Sequence, residues 1–300
     1  MMEKMIRVIK ELVSFFVRIS GLPFLIRKTI ADKGVAILVY HDPEESVLRK
    51  HLHYLSRRYN FISIDTLLQA IDTGNWRSIP PKSLVLSFDD GHLGNFRLKG
   101  LFEKYKIRPV IYLCSGIVGT NNHFWWRVEG LDNKKNIDYM KSLSNLKRES
   151  VLREEHGFQK HIPRGKRQAL NLHEISLMVS LVDFGAHSRY HPVLTKCSDS
   201  ECREEIFLSK EEVERYTGRG CKHFSYPNGD FSEREKDLIK QAGYRSARTT
   251  VAGWNVPGVD PFELKVLEVA DNASLNWMIF QISGIAWYLK NRIFRFMGIS

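Results

Sequence analysis

The sequence is short of the features that mark several large classes of protein. It has four cysteines (Cys114, Cys197, Cys202 and Cys221) and no Cys-x-x-Cys spacing, so no disulfide framework is indicated and a reducing compartment fits. No clean secretory signal opens the chain. The longest uncharged run near its start, residues 12–17, is far below the ~20 apolar residues that span a bilayer. It has no low-complexity tract, no internal repeat and no nucleic-acid motif. Acidic side chains are also in deficit, 34 against 45 Lys and Arg, for a formal charge of +11. Such a charge suits partners that carry phosphate. With no nucleic-acid motif beside it, the reading favours a membrane surface or a lipid phosphate over nucleic acid.

What is present is 300 residues of ordinary composition, 43% hydrophobic and 26% charged, enough for two domains or one large α/β barrel. Residues 1–30 predict a basic amphipathic helix. Met5, Ile6, Ile9, Leu12, Val13, Phe16 and Ile19 share one face, Lys4, Arg7, Lys10 and Arg18 another, and Gly21 and Pro23 end it. A helix of this kind lies on a membrane or packs against the body of the protein. Residues 31–270 form the main domain. Apolar runs at 35–40, 83–88, 109–114, 181–186 and 223–226 predict buried strands, with extended pieces at 244–249 and 262–269 and helical patterns between. This alternation predicts an α/β fold with a parallel sheet, helices outside it and ligands at the carboxyl ends of the strands. The rhythm breaks at about 119–172, read as an insertion over one rim that opens with His123-Phe124-Trp125-Trp126. Residues 271–300 make an apolar and basic tail, uncharged over 272–289 but interrupted by Asn276, Gln281 and Ser283. An interfacial or docking helix fits better than a membrane span.

The chemistry concentrates at two strand ends. Asp89 and Asp90 follow the run 83–88 and precede Gly91, and adjacent carboxylates there need a cation or a metal. After the run 181–186 comes His187-Ser188-Arg189-Tyr190-His191-Pro192. Two histidines four apart meet on one face of a helical turn and can grip one divalent ion. The zinc-protease pattern needs Glu directly after the first His, and Ser188 excludes it. Two imidazoles and one carboxylate leave open positions for water and substrate, which suits metal-assisted hydrolysis. The other carboxylate is free to act as general base.

Three ordered stretches, 86–91, 187–192 and 224–229, resemble the motifs of the polysaccharide deacetylases, the NodB-homology carbohydrate esterases, and the Tyr40-His41 strand end, the Phe124-Trp125-Trp126 cluster and 260–264 resemble a bacterial branch found with surface-polysaccharide genes. The similarity runs over about 35–269. It implies a distorted (β/α)7 barrel and hydrolysis of an N-acetyl group on a sugar, with Asp89 as base and Asp90, His187 and His191 holding zinc or a similar divalent ion (Co2+, Ni2+ or Mn2+). Tyr226, Pro227 and Asn228 would line the pocket, and the backbone near Asn228 would help hold the oxyanion. Two departures stand out. Many members orient the base with an Arg where this chain has Ser225, and many draw their acid from a Leu-x-His motif that 264–269 lacks. His41 and His92 are the candidates for that acid, unless the base shuttles the proton itself. Trp125 and Trp126 either stack a sugar or anchor the insertion. The partner implied is an N-acetylated glycan or lipid-linked sugar at the cytoplasmic face of a membrane. A catalytically silent glycan-binding or assembly-partner relative and a sugar deformylase are the alternatives.

Overall fold

The structure, a computed structural model, describes residues 2–26, 28–29, 34–131 and 133–284. Its strands are β1 (Ala36–Tyr40), β2 (Asn60–Phe61), β3 (Ser83–Phe88), β4 (Val110–Leu113), β5 (Asp183–Ala186), β6 (His223–Ser225), β7 (Ser246–Ala252) and β8 (Leu264–Glu268). They run in the order β1-β8-β7-β6-β5-β4-β3-β2, every pairing is parallel, and β1 also pairs with β3. That last pairing closes seven of the strands into a barrel. β2 lies outside the closure, pairing Asn60 with Ser83 and Phe61 with Leu84, while β3 meets β4 only at its far end, Ser87 with Val110 and Phe88 with Ile111. β4 therefore covers only the carboxyl end of that edge of β3, and β2 covers its amino end. The expected distorted (β/α)7 barrel is the observed one.

Strands buried on both faces read as continuous apolar runs because each side needs its own core. Ile37, Val39, Val85, Tyr112 and Val266 join one buried cluster, and Leu38, Tyr40, Leu86, Phe88 and Leu113 join another, which takes in the surrounding helices. One helix departs from the expectation that all helices lie outside the sheet. Ile64–Thr73, capped by Ser63 and ended at a left-handed Gly74, packs Ile64 and Leu67 into the first cluster. Its Asp65 meets Lys222 and His223 beside β6, and its Asp72 pairs with Arg245 just before β7. It follows β2 yet reaches the opposite wall, so it stoppers the amino end of the barrel. Periodicity alone cannot separate such a plug from an outer helix.

Between β4 and β5 the insertion carries two helices, Lys134–Ser142 and Asn145–His156, around a small core that includes Trp125, Met140, Val151, Leu152 and Phe158. The N-terminal helix Met2–Ile19 docks on the helix Leu275–Ile282. Glu11 accepts hydrogen bonds from Ser274 and Asn276, Arg18 donates to Asn276, and the Lys10 ammonium sits 5.4 Å from the Trp277 ring centre. Its other side stays open, with Phe16 62% and Ile19 61% exposed. Among the described residues no helix is long and apolar enough to cross a membrane. The basic tail residues Lys290, Arg292 and Arg295 lie outside the described residues.

The segment after β8 is tied to β1 at several points. Asp271 accepts the backbone N–H groups of His41 and Asp42, and the buried His51 bonds Tyr40 Oη at 3.0 Å through Nδ1 and the Ala273 carbonyl at 3.1 Å through Nε2. Burial lowers the His51 pKa from 6.5 to about 4, its bond to Ala273 opposing and Lys50 assisting. The folded protein thus holds His51 neutral over a range where the unfolded chain protonates it. The stability tied to this histidine is fully present above pH 6.5 and is lost as pH falls towards 4, on the order of 3 kcal/mol in all. Denaturant unfolding at pH 7 and pH 5 should show the loss. His51→Gln should lose less on acidification, and an equal loss in both proteins would refute the assignment.

Candidate functional site

The carboxyl end of the barrel gathers the titratable groups. Immediately after β3 the chain turns through two left-handed residues, Asp90 (φ 67°) and Gly91 (φ 68°). Asp tolerates that conformation, and at Gly91 a Cβ would come within 2.5 Å of a Leu113 methyl, so only glycine fits. The turn sets the two carboxylates on different partners. Asp90 Oδ1 lies 3.6 Å from His187 Nε2 and 3.8 Å from His191 Nε2. Asp89 Oδ2 is 3.8 Å from His187 Nε2.

The two histidines converge by a route the sequence did not suggest. The segment after β5 is not helical. Ser188 (φ 58°) and His191 (φ 55°) are both left-handed, and Ser188 Oγ accepts the His191 N–H. This tight turn brings the imidazole centres to 4.6 Å. One ligand atom each from Asp90, His187 and His191 lies within 4.8 Å of the others, and all three residues are buried.

Their protonation suits a cation. His187 Nδ1 donates to the Ser225 carbonyl at 2.7 Å, which leaves the Nε2 lone pair facing Asp90. Burial, reinforced by His187, lowers the His191 pKa to about 3, so that imidazole is neutral. Burial acts to raise the Asp90 pKa, but His92, bonded to Oδ2 at 3.0 Å, holds it well below the usual carboxylate range. An ionised carboxylate and two neutral imidazoles form a donor set that fits a divalent ion such as zinc.

Asp89 has a partner that sequence reasoning missed. Arg248, buried on β7, forms an ion pair with it and places its guanidinium 5.1 Å from the Tyr112 ring centre. Burial works against ionisation of Asp89, but Arg248 holds its pKa below the usual range. In the β6–β7 register Arg248 is the direct partner of Ser225. The orienting arginine expected at position 225 is therefore supplied one strand over. The available signal was a lone Arg between Ala247 and Thr249 in a strand, since a cation buried on such a strand requires a carboxylate.

The remaining candidates separate clearly. His92 is buried, bonds Asp90 and packs edge-on against Phe124 at 4.7 Å, so it braces that carboxylate. His41 keeps an exposed face on the rim. The protein crowded around its other sides lowers its pKa, yet Asp90, Asp89 and Asp271 outweigh that and raise it. Trp125 is an anchor, buried with Nε1 donating to the His191 carbonyl at 2.9 Å. The half-buried Trp126 lies over the His191 ring at 4.4 Å. Tyr226 does not line a pocket: its ring stacks on Phe231 at 4.6 Å within the core and its hydroxyl donates to the Phe262 carbonyl. Pro227 is buried beside it, and Asn228 is left-handed (φ 59°) with its side-chain nitrogen buried and without a partner among the described residues.

A sequence model described as polysaccharide deacetylase matches residues 77–247. No curated protein sequence matches the chain. Among solved structures, the Streptococcus pyogenes deacetylase PplD in complex with acetate is similar over 83% of this chain and 97% of its own, at 16% identity and a TM-score of 0.61. IcaB from Ammonifex degensii is similar over 86% and 98%, at 17% identity and a TM-score of 0.61. A de-N-acetylase from Aggregatibacter actinomycetemcomitans covers 80% and 96%, at 16% identity and a TM-score of 0.56. At these identities the likeness bears on the fold.

Proposed function

We propose, since the chain belongs to the polysaccharide deacetylase family, that this hydrolase removes N-acetyl groups from a sugar with Asp89 as base and a divalent ion held by Asp90, His187 and His191. The observation that carries the reading is the pairing of an ionised donor set with a second carboxylate fixed beside it by Arg248. The ion, zinc or a similar divalent cation, would polarise the amide carbonyl and acidify water. Asp89 accepts the proton of the attacking water, Arg248 keeps it ionised until then, and His92 keeps Asp90 turned towards the histidines. The turn at Asn228, on the same barrel end, offers a backbone N–H to the developing oxyanion. The leaving amine takes its proton from Asp89 or from His41, whose pKa the surrounding carboxylates raise. Acetate and a free amino sugar result.

The substrate is read as a glycan or lipid-linked sugar at the cytoplasmic face of a membrane, with the protein peripheral to it. The open apolar side of the N-terminal helix and the net charge of +11 support this. Purified protein should hold about one divalent ion per chain. It should release acetate from N-acetylated sugars, and His187→Ala should abolish both. Release that persists at full rate after chelation would overturn the metal assignment, formate in place of acetate would identify a deformylase, and glycan binding without release would identify a silent relative. Vesicles containing anionic lipid should sediment the protein, and Leu12→Ser/Phe16→Ser should leave it in the supernatant; equal sedimentation would remove the membrane contact.

A further inference from the structure

Beyond the triad, the insertion encloses a cavity of about 170 Å³ lined by, among others, Trp125, Asn145, Arg148, Lys160, Tyr190 and Glu205. By the same measure one water needs only ~10–15 Å³, so the space admits a substantial group. Trp125 is the wall shared with the catalytic site, since it lines the cavity and bonds the His191 carbonyl.

Arg148 is the anomaly. It is 2% exposed, its Nη2 is bonded to Asn145 and its guanidinium lies 5.3 Å from the Trp125 ring centre, yet Nη1 has no partner. Among the described residues no carboxylate forms an ion pair with it. A buried guanidinium with an unused N–H is costly unless an acceptor arrives. The acidic neighbours Glu149, Glu205 and Glu201 favour its charge through space, but among the described residues none bonds Nη1. Glu149 is taken by the Lys160 ammonium at 2.6 Å, and Glu205 Oε2 accepts the backbone N–H groups of Arg189 and Tyr190 at 2.7 and 3.0 Å.

We propose that this cavity is an oxyanion subsite, in which Arg148 receives a carboxylate or phosphate group carried by the glycan beyond the sugar that is deacetylated. Guanidinium N–H groups match the oxygens of both anions, and Lys160, whose ammonium offsets Glu149, lines the same wall. The assignment to the substrate rests on the deacetylase reading; the binding of the anion does not.

Calorimetric titration of the metal-loaded protein with inorganic phosphate and, separately, with glucuronate tests the subsite. Saturable binding is expected, weakened by added salt and weakened about 10- to 100-fold in Arg148→Gln. The variant keeps the triad, so any anion held by the metal stays and only the difference counts. The preferred anion distinguishes a lipid-type phosphate from an acidic sugar. Circular dichroism checks folding, and Lys160→Gln, at a half-exposed position, carries the test if Arg148→Gln does not fold. Absence of binding, or equal binding by wild type and folded variants, overturns the subsite. Acetate release with no anion binding would sink this proposal alone, and anion binding without release would sink the deacetylase reading alone.

Discussion

Asp89→Asn is expected to lower kcat for acetate release by ~10²–10⁴-fold while leaving the bound ion in place. The size follows from what the substitution removes. Asn fills the same volume but cannot accept a proton from water. Asp90, His187 and His191, whose ligand atoms lie within 4.8 Å of one another, are untouched, so metal content should match that of the wild type. The loss should appear in kcat more than in KM, because a general base acts in the transition state. Loss of the ion together with activity would show that Asp89 is a ligand and would overturn the division of labour between the two carboxylates.

Arg248→Met should produce the second large effect, in stability as well as rate. The guanidinium and Asp89 are both buried and paired, and removing one partner strands the other charge in the barrel. Breaking such a pair costs ~3–5 kcal/mol. The uncompensated carboxylate will then tend to protonate, which also removes the base. Arg248→Lys keeps a charge without the planar fork and should fall between the two. A double-mutant cycle separates pairing from simple packing. The stability losses of Asp89→Asn and Arg248→Met should not add, because either change alone already breaks the pair. Additive losses would mean that Arg248 does not orient Asp89.

These residues show how far the sequence could be read. The strands were visible because a strand buried on both faces must be apolar throughout, and β3 has the predicted ends, Ser83 and Phe88. The two carboxylates and two histidines were visible because each follows such a strand. The backbone between the histidines was not, since spacing of four suggests a helical turn and left-handed φ at Ser188 and His191 leaves no periodic signature. Arg248 was hidden for a different reason. Its meaning lies in register: β6 sets Ser225 against it, and that pairing joins strands separated by a helix. For Trp125 anchoring was one of two open roles, and His92 was a candidate acid rather than a brace for Asp90, because both assignments depend on contacts across the barrel mouth.

The short segment from Asp271 to Ser274 holds the rim of the site at one end, where Asp271 binds the backbone of His41 and Asp42, and the N-terminal helix at the other, where Ser274 binds Glu11. The consequence is one of leverage: a displacement of the N-terminal helix is passed through this short segment to the backbone that carries His41, so the helix and the barrel mouth move as one piece.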